Sequence, residues 1–263
     1  MLDAMGRTIA GHRIIELESA DSTNSYALGL LQRAARSGPD RDGLSRTVVV
    51  AHEQTAGRGL RENLWESEPG KNLTFSLILH PTSLPVERQF VLSQVVSLGI
   101  VDCLDQWLTS VSIKWPNDIY VEDRKIAGIL IEISVMSGEL SGVVAGIGLN
   151  LNQTLFTSDA PNPVSLKLLT GRDSDLETVL YSLLEQIDAR HVQLEREKTD
   201  ELHAEYCRRL YRFGDLCEYR CQSGCFTARI TDVDESGQLI LESEDGARQG
   251  FGFKEVAFGR AER

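Results

Sequence analysis

The sequence lacks any apolar run long enough to cross a bilayer. Its longest apolar stretches, such as Thr47–Ala51 and Leu73–Leu79, have the length of strands, whereas a membrane-spanning helix needs roughly 20 apolar residues. The first residues, Met1–Arg13, also lack the apolar segment of a secretory signal. We therefore expect a cytoplasmic protein that does not associate with a membrane.

A disulfide framework is also missing. The five cysteines are odd in number and irregularly spaced, which favours reduced thiols. Cys217, Cys221 and Cys225 recur every four residues. Because zinc sites usually combine cysteine pairs with a second pair or with histidines, we favour incidental strand cysteines over a metal site here.

The sequence has no excess of basic residues. Its formal net charge of −12 argues against a surface that neutralises nucleic-acid phosphates, since those contacts provide most non-specific DNA affinity. There is neither a phosphate-binding loop ending in Gly-Lys-Ser/Thr nor a dinucleotide-binding fingerprint. A local cationic pocket remains compatible with this composition.

Apolar periodicity over residues 1–210 predicts an α+β fold. The predicted strands are His12–Glu18, Thr47–His52, Leu73–His80, Ser112–Trp115, Ile119–Val121, Ile126–Val135 and Gly142–Leu151. The predicted helices are Ser25–Ser37, Val86–Leu108, Leu176–Leu194 and Thr199–Leu210. The last four strands are separated by short polar turns, which predicts an antiparallel meander.

The C-terminal part has a different pattern. From Phe213 onward, short strand-like runs alternate with glycine turns at Gly224, Gly237 and Gly246. This spacing is typical of a small β-barrel. We therefore expect two units, residues 1–210 and residues 211–263.

The first candidate site segment is Gln54–Arg61, directly after a predicted strand. Its two glycines allow backbone amides to approach an anion, and Arg58 and Arg61 can add charge-assisted hydrogen bonds. A glycine-rich surface turn with exposed arginines would have the same composition.

Two more candidate segments lie on predicted strands. Lys114–Asp118 and Asp123–Gly128 bring two lysines, an amide and carboxylates to a hairpin where apolar residues are expected; an Asn-Asp turn with solvated lysines is the alternative. Gly146–Asn150 has glycines at alternating positions, which indicates a ligand or another backbone against that face. Tight strand packing would also explain those glycines.

Taken together, five blocks of the sequence resemble the biotin protein ligases in order and approximate spacing. The blocks are Asp21–Asn24, Gln54–Arg61, Lys114–Asp118, Arg124–Glu132 and Gly146–Asn150. The resemblance is strong over about Ile14–Leu168. It implies a class II aminoacyl-tRNA synthetase-like catalytic fold, with a mixed, mainly antiparallel sheet and flanking helices, and a small C-terminal SH3-like β-barrel.

The resemblance also implies a reaction: ATP activates biotin as biotinyl-5'-AMP, and the biotinyl group then passes to a lysine of a biotin carboxyl carrier protein or domain. The residues implied in binding biotin are Ser22, Thr23, Asn24, Gln54, Arg58, Gly59, Leu60, Lys125, Gly128 and Gly146. Arg58 and Lys125 would hold the biotin carboxylate against the α-phosphate, because fixed cations lower the barrier between two anions.

The residues implied in binding ATP are Arg58, Arg61, Trp65, Asn117 and Asn150. The implied catalytic residues are Lys125, Arg58, Lys114 and Asp118. Asp118 is also the implied Mg²⁺ ligand, since Mg²⁺ binds through one or two carboxylates plus substrate phosphates, and a candidate base for the acceptor lysine. Both lysines should stay protonated beside these anions. The loop Gln54–Trp65 is expected to fold over the adenylate.

Two residues depart from the family pattern. Leu60 stands where a polar or basic residue is usual, and Glu62 where glycine is usual. Leu60 cannot donate a side-chain hydrogen bond, and Glu62 places a carboxylate near bound phosphates. We expect Glu62→Gly to preserve or improve retention of the adenylate.

Two other functions stay open from the sequence: a lipoate or octanoate ligase or transferase of the same fold, and a non-catalytic biotin-binding sensor. Lys114–Asp118 favours biotin over lipoate. About a dozen residues precede the first predicted strand, too few for a winged helix, so we expect no DNA binding. The sequence is compatible with a homodimer.

Overall fold

The structure is a computed structural model that describes residues 7–37, 42–60, 63–79, 84–85, 88–136, 139–157 and 162–259. Its strands are β1 (Thr8–Ile9), β2 (His12–Ala20), β3 (Thr47–Gln54), β4 (Leu73–Leu79), β5 (Val111–Lys114), β6 (Asp118–Val121), β7 (Arg124–Met136), β8 (Glu139–Leu149), β9 (Cys217–Cys221), β10 (Gly224–Val233), β11 (Leu239–Ser243), β12 (Arg248–Phe251) and β13 (Val256–Phe258). Its helices are α1 (Thr23–Ser37), α2 (Phe90–Leu104), α3 (Leu166–Thr170), α4 (Leu176–Glu195) and α5 (Thr199–Arg208). Over these ranges, no helix has the length and apolarity to cross a membrane.

The larger sheet has eight strands in the order β1-β2-β3-β4-β8-β7-β6-β5. β2 and β3 run parallel, which their connection through α1 allows. Each other neighbouring pair runs antiparallel. The prediction of a mixed, mainly antiparallel sheet is confirmed, as is the meander from β5 to β8.

Helices pack on both faces of this sheet. Consecutive side chains of a strand point to opposite faces, so on β3 Val48 joins the large core that includes α2 and α4, whereas Val49 packs with Ala27 and Leu31 of α1. All seven residues of β4 are buried. This is the burial expected of a strand covered on both faces.

The second sheet is antiparallel, in the order β12-β11-β10-β9-β13. It packs against α2 through Phe90: Gly237, at φ +90°, leaves no room for a side chain, since a Cβ there would lie 2.6 Å from the Phe90 ring. The indole Nε1 of Trp115 donates to the Gly237 carbonyl at 2.9 Å. One continuous buried core therefore runs from the large sheet into the C-terminal β unit.

The predicted C-terminal end of the second helix is wrong. α2 ends at Leu104 and turns follow, although the apolar spacing continues to Leu108. Leu108 is half-buried and packs against the core from the segment that follows the turn, so its apolar side chain is covered without being helical. The predicted start at Val86 lies outside the described residues.

Three short elements were not predicted: β1, α3 and β13. α3 has only five residues, which is too short for a periodic pattern, and its ends are set by local hydrogen bonding. Ser165 Oγ accepts the Leu168 amide at 3.2 Å, and Gly171 follows at φ +75°. β13 has three residues and pairs with β9, far away in the sequence.

Candidate active site

A cavity of about 220 Å³ opens beside β7 and β8, between the start of α1 and the loop that follows β3. Many residues that the sequence pointed to lie on its wall. They are Ser22, Thr23, Asn24, Gln54, Arg58, Gly59, Leu60, Trp65, Asn117, Asp118, Lys125, Gly128 and Gly146. The fold thus gathers segments that are far apart in the chain.

The start of α1 supplies a set of neutral polar groups. Ser22 precedes the helix, and its Oγ lies 3.5 Å from the Ser25 amide, at the position of an N-cap. The amide oxygen of Gln54 accepts the Thr23 backbone N–H at 2.8 Å. Thr23 and Asn24 are each only 3% exposed. Burial with these fixed partners holds the polar groups in one orientation.

Asn24 is hydrogen-bonded to two strands, β4 and β7. Its Oδ1 accepts from Ser76 Oγ at 2.5 Å, and its Nδ2 donates to the Leu130 carbonyl at 3.1 Å and to Glu132 Oε2 at 2.8 Å. The amide lies across Gly146, where a Cβ would come within 2.2 Å of Oδ1. Glycine at this position is therefore needed for close approach of the amide rather than for backbone flexibility.

Arg58 has a carboxylate partner in the structure. Its Nη2 lies 2.6 Å from Oε2 of Glu132, the same oxygen that accepts from Asn24. The Arg58 side chain is 40% exposed and that of Glu132 is 26% exposed. Glu132 therefore joins the cationic part of the wall to the neutral polar part.

The loop after β3 folds back on itself. The Trp65 amide donates to the Gly57 carbonyl at 2.9 Å, and the Gly59 amide donates to the Asn63 carbonyl at 2.8 Å. A Cβ on Gly57 would lie 2.5 Å from the Trp65 carbonyl oxygen. The indole of Trp65 rests on Gly148, where a Cβ would come within 2.2 Å of the ring.

The hairpin β6–β7 supplies the second cation. Lys125 Nζ lies 2.6 Å from Asp118 Oδ1, with side chains 20% and 22% exposed. The same ammonium group lies 5.6 Å from the centre of the Trp65 ring. Asn117 donates from Nδ2 to the Ile129 carbonyl at 2.8 Å. The pairing shifts register between Ile119 and Tyr120, so the hairpin carries a bulge beside these polar groups.

Lys114 is not on the cavity wall. Its Nζ donates to the Tyr120 hydroxyl at 3.0 Å and lies over the rings of Tyr120 and Phe258. Burial lowers the pKa of Lys114, and the nearby Asp118 opposes that shift. Desolvation is the larger of these two effects on Lys114, and the expectation that this lysine stays protonated remains a prediction.

Asn150 is not on the wall either. It is 3% exposed, its Nδ2 donates to the Val164 carbonyl at 3.1 Å, and its Oδ1 has no hydrogen-bond partner. This buried amide anchors the segment that leads to α3. Arg61 and Glu62 lie outside the described residues.

The sequence reasoning assigned no role to three residues that shape the site: Ser76, Glu132 and Phe253. Glu132 could have been identified from the sequence, because it is a charged residue within the apolar run of β7. Ser76 is fully buried within the apolar β4, a weaker signal of the same kind. Phe253, from the C-terminal unit, lines the cavity; nothing in its local sequence indicates this, because the contact depends on how the two sheets pack.

The cysteine series lies on two neighbouring strands. Cys217 and Cys221 lie in β9 and Cys225 in β10, and all three are free thiols. They belong to no metal-binding cluster among the residues that the structure describes. The interpretation of these residues as incidental strand cysteines stays a prediction.

The arrangement can hold an elongated molecule with a polar head and an anionic tail. Neutral donors and acceptors from α1 and Gln54 lie on the same wall as the cations Arg58 and Lys125. Cations fixed in a partly buried site can bring two anionic groups into contact. Condensation of a carboxylate with a phosphate is the chemistry that such a wall favours.

Comparisons with known proteins agree with this geometry. Residues 36–150 match the model of the Biotin/lipoate A/B protein ligase family. The biotin–[acetyl-CoA-carboxylase] ligase of Paracoccus denitrificans is 32% identical over 251 residues, covering 92% of this chain and 99% of that protein. The enzyme of the same name from Mycobacterium tuberculosis is 31% identical over 238 residues, covering 89% and 85%.

A solved structure extends the similarity to the fold. The biotin protein ligase from Aquifex aeolicus in complex with biotin and ATP superposes with a TM-score of 0.74 at 25% identity, covering 94% of this chain and 99% of that one. The match includes both the large mixed sheet and the C-terminal β unit in its coverage. On these sequence and structural grounds, the chain belongs to the biotin protein ligase family.

Proposed function

We propose that this protein is an ATP-dependent biotin protein ligase. A carboxylate oxygen of biotin attacks the α-phosphorus of ATP, pyrophosphate leaves, and biotinyl-5'-AMP forms. The amine of a carrier-protein lysine then attacks the acyl carbon, AMP leaves, and an amide bond results. Relatives named for this activity cover most of the chain, which supports the proposal.

The observation that carries the proposal is the shared wall of one cavity. Arg58 and Lys125 come from separate segments, yet both line the cavity that Thr23 and Gln54 also line. We assign the neutral groups to the ureido ring and the two cations to the biotin carboxylate and the α-phosphate. Opposed anions repel, so cations fixed at their meeting point lower the barrier.

The nucleotide is assigned to the wall formed by Trp65 and Asn117. The Trp65 indole is packed on Gly148 and presents a flat aromatic surface, and its Nε1 is buried without a hydrogen-bond partner. A buried donor of this kind costs about 1–3 kcal/mol. A ligand acceptor would remove that cost. Asn150 and Arg61 remain proposed nucleotide contacts, although Asn150 lies behind the wall.

Asp118 fits the proposed Mg²⁺ site. It offers a carboxylate on the cavity wall, 22% exposed, beside the cation that we assign to phosphate. Mg²⁺ typically takes one or two protein carboxylates and completes its shell with water and phosphate oxygens. When bound, the ion would neutralise charge on the phosphates. Asp118 is also the proposed acceptor of the proton that the carrier lysine must lose.

We further propose that residues 1–210 form the catalytic unit and residues 211–263 an SH3-like unit. The five short antiparallel strands of the second sheet support this division. Phe253, which belongs to the C-terminal unit, lines the cavity. The acceptor is proposed to be a biotin carboxyl carrier protein or domain.

The test is pyrophosphate release by the purified chain with MgATP and either biotin or lipoate. Release should require biotin. Lys125→Ala should lower the rate about 10²–10³-fold, the usual effect of removing one group that stabilises developing charge. Lys198→Ala is the matched control, because Lys198 is an exposed lysine paired with Glu201, and it should leave the rate unchanged.

Three outcomes would count against the proposal. Release with lipoate instead of biotin would assign the chain to the lipoate branch. Binding of biotin without any pyrophosphate would indicate a sensor. A normal rate in Lys125→Ala would remove that residue from the chemistry. Labelled biotin, ATP and cell lysate, in a further assay, should yield one labelled carrier protein.

A further inference from the structure

A group of side chains of the types that bind metal ions lies away from the cavity, where α5 meets the C-terminal unit. His203, Cys207 and Asp232 form the one cluster of three such residues in the described part of the chain, and their ligand atoms lie within 4.8 Å of one another. His203 and Cys207 are four residues apart in α5, so they share a helix face. Asp232 comes from β10.

Two of the three distances between the ligand atoms match those around a tetrahedral ion. Cys207 Sγ lies 3.5 Å from His203 Nε2 and 3.5 Å from Asp232 Oδ1. With zinc bonds of about 2.3 Å to sulfur and about 2.0 Å to nitrogen and oxygen, tetrahedral angles separate sulfur from each other ligand by about 3.5 Å. The third edge, from His203 Nε2 to Asp232 Oδ1, is 2.8 Å. It needs to widen by about 0.5 Å when an ion replaces the hydrogen bond.

A bulge in β10 turns Asp232 toward the helix. Ala228 and Ile230 point into the core, so in a regular strand Asp232 would do the same. The pairing with β11 shifts between Ile230 and Asp232, which leaves Thr231 as an extra residue. The buried position then becomes Val233, and Asp232 is exposed on the side of α5. Bulges commonly re-aim a side chain in this way.

A buried amide supports the histidine from behind. Gln94 of α2 is only 4% exposed, and its side-chain amide lies 3.1 Å from His203 Nδ1. The amide nitrogen Nε2 is the atom that faces Nδ1. When an ion is bound, the amide turns over so that its oxygen accepts the Nδ1–H, and the Nε2 lone pair of His203 is then directed at the ion. Histidines that bind metals usually donate their second N–H to such a partner.

We propose that His203, Cys207 and Asp232 bind a divalent transition-metal ion, with Zn²⁺ the best match to a nitrogen, sulfur and oxygen ligand set. Cys207 binds as the thiolate and releases its proton to solvent. Water completes the shell from the cleft that also borders Asp200. The ion links α5 to β10 and so fixes the C-terminal unit against the catalytic unit, independently of the proposed ligase activity.

The experiment measures metal binding by the purified full-length chain. Calorimetric titration with ZnCl₂ should show one high-affinity site, which Cys207→Ser and Asp232→Asn both remove. Gln94→Leu should weaken it about 10- to 100-fold, the usual effect of losing a supporting partner. Cys225→Ser is the control, because this exposed cysteine lies outside the cluster, and it should bind zinc like the unaltered chain.

The visible absorption spectrum of bound Co²⁺ reports metal coordination directly, and a purely structural role of these residues would not change it. Co²⁺ bound to the chain should show the intense visible absorption of a four-coordinate ion and a thiolate charge-transfer band that Cys207→Ser abolishes. Zinc should also raise the Tm of the unaltered chain but not of that variant. Equal zinc affinity in Cys207→Ser and the unaltered chain would overturn the proposal, as would the absence of a high-affinity site in a chain that is folded by circular dichroism.

Discussion

Substitution of Gly146 by alanine tests whether this glycine is present for close packing of Asn24. Gly146 lies between Ser76 of β4 and Leu130 of β7 in the sheet, and both neighbours hydrogen-bond the Asn24 amide. A Cβ at residue 146 would lie 2.2 Å from Oδ1, 2.8 Å from Cγ and 2.9 Å from Nδ2 of Asn24. The whole amide must therefore move, and its three hydrogen bonds cannot all survive.

The magnitude follows from these contacts. Three hydrogen bonds at a net value of about 1 kcal/mol each give a loss of about 3 kcal/mol. Crowding in a packed interior adds about 1–3 kcal/mol, and replacing glycine within a strand returns about 0.5–1 kcal/mol. We expect the free energy of unfolding of Gly146→Ala to fall by roughly 3–5 kcal/mol, with a weaker affinity for biotin.

Urea unfolding in two backgrounds separates this cause from general strand effects. In Asn24→Ala the amide is absent, so the added methyl group meets open space and Gly146→Ala should change the free energy of unfolding by less than about 1 kcal/mol. Titration calorimetry with biotin on the single variant follows the effect on the site. An equal loss from Gly146→Ala in both backgrounds would refute the reasoning.

Two further predictions concern the helices. Gly99→Ala should lower the free energy of unfolding by about 2 kcal/mol, as measured by urea unfolding. A Cβ at residue 99 would lie 2.7–2.9 Å from three atoms of Ile187, two of them backbone. The helix-propensity gain of about 1 kcal/mol offsets only part of this crowding. Arg190 hydrogen-bonds Glu205 and Asp102, and its bond to Glu205 lowers the pKa of that carboxyl. Because the Glu205 carboxyl has a lower pKa in the folded state, its ionisation stabilises the fold at pH values above the unfolded pKa of about 4.3, and this stabilisation is lost as the pH falls through the folded pKa. The stability lost in Arg190→Met should therefore be largest near neutral pH and smaller in acid. A pH-independent difference between the two proteins would contradict this assignment.

The sequence predicted the elements whose patterns are local. β4 is a continuous apolar run and the β5–β8 meander has polar turns at its hairpins, so strand type and order could both be read from the residues. The capping pattern predicts a start of α1 near Ser25, and the helix starts at Thr23, a difference of the size usual at helix ends. β13 could not be predicted, because three residues become a strand only when β9 is beside them.

The structure brings only part of the predicted site residues together. Arg58 and Lys125, which the resemblance pointed to, both line the cavity, and their roles stay predictions. Lys114 belongs to the same motif as Asp118 but does not line the cavity. The β5 pairing with β6 and the rings of the C-terminal unit decide where its ammonium group lies, and neither can be read from five consecutive residues.

The pairing of both wall cations has a consequence for how ligands arrive. Arg58 is neutralised by Glu132 and Lys125 by Asp118, and the chain as a whole carries a net charge of −12. Among the described residues of the wall, both cations therefore already have a carboxylate counter-ion, which weakens the positive field that could steer an anion inward from beyond a Debye length of about 8 Å. For the proposed ligase, discrimination would then depend on ligand anions displacing the internal carboxylates, and a molecule that displaces both at once would have an advantage over any that displaces only one.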